Sequence, residues 1–143
     1  MGAVALGLEI GAGRVDPRDV AEAYLDAIAA ADPQARIYAR TMPDRAGAQA
    51  ASAARRAAAG ARRGPLDGVP VSWKDLFDTA NVATEAGSRL LEGRIPDTDA
   101  EVLQAATHRG LVCLGKTHMS ELAFAGLGLN PKTATSPNIH NPD

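Results

Sequence analysis

Lys74 is the residue in this chain best placed to do chemistry. It lies near the end of the run Gly64-Pro65-Leu66-Asp67-Gly68-Val69-Pro70-Val71-Ser72-Trp73-Lys74-Asp75, where turn-forming glycines lead into a short apolar strand. A lysine held at a strand end can be stripped of water, which disfavours its charged form. The free amine then comes within reach of neutral pH and can accept a proton. The ordinary alternative is a solvated strand-end lysine, the commonest fate of the residue. Ser72 shares a strand face with Lys74, two residues away. No nucleophile turn or set of oxyanion donors accompanies it, so that pair reads as incidental.

Other residues with chemical potential are weaker. Gly110-Leu111-Val112-Cys113-Leu114-Gly115-Lys116-Thr117 fits the phosphate-loop pattern G-x-x-x-x-G-K-[ST] letter for letter. That pattern needs a flexible loop between a preceding strand and a following helix. Here the middle residues favour a buried strand and a helical pattern precedes them, so nucleotide binding is not expected. Cys113, the single cysteine, lies in the same apolar run and reads as a buried, inert thiol. His108, His118 and His140 lack metal-ligand spacing. No metal site is expected.

The elements that must position Lys74 can be read from periodicity. Asp16-Pro17 is a helix start, a capping carboxylate followed by proline at the first helical position. Val20, Ala23, Tyr24, Ala27 and Ile28 continue it, and Asp32-Pro33 closes the pattern. Ile37 to Thr41 is a short extended piece, and alanine propensity predicts a helix from about Pro43 to Gly60. Arg55, Arg56, Arg62 and Arg63 near its end read as a solvated face beside the negative end of the helix dipole. Val69, Val71 and Trp73 then alternate with Pro70, Ser72 and Lys74 as a strand does. Thr79 to Arg94 is mostly loop. Thr98-Asp99 is expected to cap a third helix that Gly110 ends, followed by a buried strand at Leu111–Leu114 and a short helix from about Met119 to Ala125. The tail from Asn130 is turn-rich. The rhythm is α/β.

From Gly64 onward the chain resembles the amidase signature family, the Ser-cisSer-Lys amide hydrolases. The matching pieces stay in order: Gly64–Pro70, Lys74-Asp75, Thr84-Glu85-Ala86-Gly87-Ser88, Asp97-Thr98-Asp99-Ala100, Gly115–Ala123, Asn130 and Asn141-Pro142. The resemblance implies an α/β fold with a mixed central sheet covered by helices, of which this chain holds the N-terminal, incomplete part. Residues 1–63 would be a helical leading region and 64–143 the first part of the catalytic core. It also implies hydrolysis of carboxamide carbon–nitrogen bonds without metal or cofactor. Lys74 would take a proton from a bridging serine, which in turn deprotonates a nucleophilic serine. Phe124 falls where such enzymes line an acyl pocket, although a plain core phenylalanine fits the sequence equally well. Lys116 is expected to anchor a loop beside the site, Ser88 to serve a turn and Ser120 to cap the short helix.

Both serines of the relay, with the backbone donors of the oxyanion hole, fall in a stretch that would begin shortly after Asp143. The chain is therefore expected to be the leading piece of an amidase and inactive alone. Two other readings stay open: an ammonia-releasing amidotransferase subunit, and a non-catalytic interaction module whose exposed sheet edges self-associate or pair with another chain. A net charge of −2 and 3% aromatic residues exclude a nucleic-acid partner on electrostatic and stacking grounds. No run approaches the roughly 18 apolar residues of a membrane span, and the N-terminus has no basic leader or myristoylation pattern. The expected partner is a small amide substrate, in the cytoplasm.

Overall fold

β3 (Val112–Thr117) is the centre of the molecule, flanked by β1 (Tyr38–Thr41) antiparallel on one side and β2 (Pro70–Lys74) parallel on the other. The computed structural model describes residues 1–138 and His140. The Asn141-Pro142 pair lies outside the described residues. Four helices, α1 (Ala3–Gly11), α2 (Pro17–Ala35), α3 (Pro43–Ala58) and α4 (Glu101–His108), pack around the sheet.

Residues 112–116 are all buried, as a central strand covered on both faces requires. Its side chains alternate between two clusters. Val112 and Leu114 join Ala21, Ala46 and Ala50 beneath α2 and α3, whereas Cys113 joins Met42 and Leu103 with Trp73 packed against them. On α3 the buried residues are Ala46, Ala50 and Ala53, one stripe of methyl groups at helical spacing. Gly115 brings β1 unusually near: a Cβ there would lie 2.6 Å from the Arg40 carbonyl oxygen.

Several local expectations change. The α2 helix starts on Asp16, whose carboxylate accepts the Arg18 N–H, but it runs past Pro33 to Ala35. Pro33 sits in the last turn, where it forgoes only one i→i−4 bond; Arg36, with φ 49°, ends the helix. Asp99 does not cap α4, which begins behind Ala100 without a side-chain cap. The carboxylate goes instead to Arg45 on α3, Oδ1 at 2.9 Å, and to the Ala80 N–H at 2.8 Å, because a guanidinium is a stronger partner than a helix end. The short helix expected at 119–125 is one 3₁₀ turn, Glu121–Ala123, with Leu122 in the left-handed region at φ 51°. Ser120 does not cap it; its hydroxyl donates to the Ala125 carbonyl.

The basic cluster at the end of α3 is only partly a solvated face: Arg55 and Arg63 are exposed, Arg56 and Arg62 half-buried. Arg56 forks onto Asp67 through Nε at 2.9 Å and Nη2 at 2.6 Å, and Arg62 donates to the Pro65 and Asp67 carbonyls. Arg63 gives its N–H to Asp67 at 2.8 Å and its side chain to the Thr107 and His108 carbonyls. Only Arg55 stays local, bonded to Ser52. These arginines clamp the Gly64–Gly68 turn that launches β2. Gly110 completes the clamp: its φ is 87°, and a Cβ there would fall 2.1 Å from an Asp67 carboxylate oxygen.

α1 was not foreseen as a helix. Leu6 and Ile10, four apart, bury against Val69, and Gly7 lets the Pro65 carbonyl approach so closely that a Cβ would sit 2.1 Å from its oxygen. Because β1 and α3 pack on β3, elements from before Gly64 and after it share one sheet. No helix among the described residues is long and apolar enough to cross a membrane.

Candidate functional site

Lys74 is the last residue of β2 and is exposed. It stands on the wall of an open cleft of about 640 Å³, together with His118, Met119 and Ser120 from beyond β3 and the segments 125–129 and 135–138. The drying of Lys74 that base chemistry requires is therefore not supplied by the described residues. The lysine that is dry is Lys116, fully buried one strand away.

Three devices build the cleft. The first is the parallel pairing of β2 and β3, which brings Lys74 beside Thr117 in register after a bulge at Val71/Ser72. The second is Asn130, only 2% exposed, which spends its whole amide on the backbone. Its Nδ2 donates to the Gly87 and Met119 carbonyls, both at 2.8 Å, and its Oδ1 accepts the Lys132 and Thr133 N–H groups. Gly87, at φ 62°, leaves the room this needs, since a Cβ would lie 2.5 Å from Asn130 Nδ2. The third is the strained turn at Leu122 and Ala123, both left-handed, with φ of 51° and 58°. Such residues cost on the order of 1–3 kcal/mol each and concentrate where a chain must be re-aimed.

The electrostatics beneath the cleft are unusual. Lys116 Nζ donates to Thr84 Oγ1, to the Ala83 carbonyl at 3.2 Å, and lies 3.2 Å from Asp75 Oδ1. Burial pushes its pKa down, opposed by the Asp75 charge and hydrogen bond. Arg40 bridges Asp75 and Glu85, each at 2.6 Å. Glu85 sits below the usual carboxylate range, first through the Gly93 N–H and then through Arg40 against the cost of burial. Burial also lowers the pKa of His118, which lines the cleft.

The remaining sequence candidates fall elsewhere. Phe124 is 96% exposed, which excludes the core reading, and it does not line the cleft among the described residues. Its turn holds the ring out where none of the described residues covers it. Ser72 accepts or donates to the Tyr38 hydroxyl at 2.6 Å. Ser88 donates to Glu121 and accepts the Leu90 N–H, the turn role expected of it. The phosphate-loop match is a buried strand preceded by α4, and its lysine is occupied within the core. A smaller depression of about 270 Å³ beside α3 is lined by Arg56 and Arg63, whose guanidiniums are already committed. Sequence reasoning missed Arg40 altogether, and it named Asn130 as a piece of the family resemblance without giving it a role. Arg40 lay in a four-residue strand with no periodic signal, and spacing in a turn-rich tail does not say what an asparagine side chain will bind.

Comparison with known proteins agrees with this fold. The sequence pattern of the family described as "Amidase" matches residues 19–143. A glutamyl-tRNA(Gln) amidotransferase chain of Acidothermus cellulolyticus, one subunit of that enzyme, is 45% identical over 122 residues, covering 85% of this chain and 24% of the relative. The native peptide amidase of Stenotrophomonas maltophilia superposes with a TM-score of 0.85 at 34% identity, over 96% of this chain and 30% of its own. A protein complex described as vestigial, bearing on the origins of an s-triazine catabolic enzyme, superposes at 0.93 with 32% identity, covering 99% and 31%. The chain thus spans between a quarter and a third of the length of these proteins.

Proposed function

The chain belongs to the amidase family, and from that premise we propose that it forms the leading part of an enzyme cleaving carboxamide carbon–nitrogen bonds, with Lys74 as general base. The observation that carries the reading is the position of Lys74. It ends β2 on the wall of a cleft whose other walls come from residues 118–138, the last described stretch before the place where the family resemblance puts the serines.

In this reading a neutral Lys74 amine accepts the proton of the bridging serine, which takes that of the nucleophile. The nucleophile attacks the amide carbon, the amine leaves, and water releases the acyl group. Lys74 is solvated in the described residues, so its drying falls to the chain that follows. The serine stretch would cover the cleft, displace water and disfavour the ammonium form. No metal or cofactor takes part in the proposed steps. His118 lines the same cleft as Lys74 and is available to hydrogen-bond a substrate amide.

The 45% identity to an amidotransferase chain favours a second reading of the same site, in which the amide is glutamine and the ammonia passes to a partner protein. Ammonia release from glutamine, measured against release from simple peptide and aryl amides, separates the two.

The test is mutational. In the enzyme that joins these residues to the serine stretch, Lys74→Ala is expected to lower kcat by at least about 10³-fold, the scale of losing one member of such a relay. In the 143-residue chain, where Lys74 is exposed, the same change is expected to leave stability within about 0.5 kcal/mol. The 143-residue chain alone is expected to turn over no amide. Turnover by that chain, abolished by Lys74→Ala, would overturn the proposal.

A further inference from the structure

Asp75 follows Lys74 directly and is held at every polar atom it has. Oδ1 lies 2.6 Å from Arg40 Nη1 and 3.2 Å from Lys116 Nζ, and Oδ2 accepts the Glu85 N–H at 3.2 Å. Its own N–H donates to the Thr117 carbonyl at 3.0 Å, and its carbonyl accepts the Ala86 N–H at 2.9 Å. The second arm of Arg40 reaches Glu85. Two cations and two carboxylates, drawn from β1, the end of β2, the 83–88 loop and β3, thus form a charge-balanced quartet. Lys116 and Asp75 are almost wholly out of solvent.

None of these four groups takes part in the proton relay proposed for Lys74. A buried ionic cluster is seldom the most stable filling for such a space; apolar residues of equal volume commonly do as well or better. What charges provide that apolar side chains do not is direction, because each hydrogen bond fixes an angle as well as a distance.

We infer that the Asp75 carboxylate, gripped by Lys116 and Arg40, is a positioning group that fixes where the end of β2 presents the Lys74 amine. The inference rests on the reading of Lys74 as the base. With the neighbouring residue pinned through its N–H, its carbonyl and both carboxylate oxygens, the freedom left to the amine is that of its own side-chain torsions. The same grip ties the strand end to the 83–88 loop, through Thr84, Glu85 and Ala86. A small cavity of about 150 Å³ touching Arg40, Asp75 and Glu85 shares His118 and Met119 with the Lys74 cleft, so a shift in the quartet reaches the cleft wall. Misplacing a catalytic group by about 1 Å can cost about 10²-fold in rate.

The test has two arms. In the 143-residue chain, amide hydrogen exchange is compared in wild type, Asp75→Asn and Lys116→Met. The Asp75 and Ala86 amides are expected to exchange at least about tenfold faster in the variants, relative to Ala50 in α3, which reports the global fold. In the enzyme joined to its serine stretch, Asp75→Asn is expected to lower kcat per folded molecule by about 10²-fold with KM within about twofold. Exchange that rises equally at Ala50 would overturn the inference, since the quartet would then be general stability and nothing more. Should Lys116→Met not fold, Asp75→Asn, which keeps size and shape, carries the same comparison. Turnover lost in Lys74→Ala but unaltered in Asp75→Asn overturns the inference alone. Turnover surviving Lys74→Ala overturns the base reading and the inference with it.

Discussion

Replacing Arg56 with methionine tests whether the clamp on the Gly64–Gly68 turn holds β2 in place. Asp67 is 1% exposed, and three donors meet its carboxylate: Arg56 Nε, Arg56 Nη2 and the Arg63 N–H. Removing one partner of a buried ion pair costs about 3–5 kcal/mol, because the other charge stays behind without compensation. The lower end applies, since the Arg56 side chain keeps 19% of its exposure and the Arg63 N–H would still hold one oxygen. A loss of about 3 kcal/mol is a large share of the roughly 5–15 kcal/mol typical of a domain. For a chain of this length it corresponds to a fall in Tm of about 10 °C. Thermal unfolding by circular dichroism reads it directly. A double-mutant cycle with Asp67→Asn then isolates the pair. The coupling should exceed about 1 kcal/mol, with the double variant closer to Asp67→Asn than additivity allows. A shift under about 2 °C for Arg56→Met, or additivity within about 0.5 kcal/mol, would refute the claim that this pair holds the turn.

Gly115→Ala should destabilise by about 1–3 kcal/mol, read as a lower urea midpoint. The new methyl would press on the Arg40 carbonyl and the Thr41 Cα, backbone that cannot rotate away. Cys113 is buried and burial pushes its thiol up to about 11, so a thiol reagent at pH 8 should label it only as the chain unfolds. Acid should unfold the protein below about pH 4. In Asp67 burial raises the pKa but the Arg56 and Arg63 hydrogen bonds outweigh it. Asp99 is lowered first by Arg45, and Glu85 first by the Gly93 N–H. Groups depressed in the folded state contribute fully above their unfolded values, near 3.8 for aspartate and 4.5 for glutamate. That stability drains as pH falls through the folded values. Asp67→Asn should flatten the acid limb of a stability–pH curve, and an unchanged limb would count against the assignment.

What the sequence determined by itself was local or carried by motif. Asp16-Pro17 started its helix because a capping carboxylate and a proline need only their neighbours. The alanine-rich stretch became α3 and the apolar run after Gly110 became the buried strand, since period and propensity are written in consecutive residues. The ordered pieces from Gly64 onward pointed to the family that the comparisons then gave. Wherever a charged side chain had a choice of partners, only the tertiary structure decided. Asp99 left its helix for Arg45, and Arg56 and Arg62 reached over to the turn before β2. Arg40 and Asp75, 35 residues apart, met beneath Lys74. A long ionic side chain reaches several ångströms in any direction, and its best partner depends on which distant backbone arrives within that radius. Sequence spacing does not encode such distances. Among the described residues the buried lysine is Lys116, enclosed by strands on both sides, while Lys74, at the end of β2, meets the cleft.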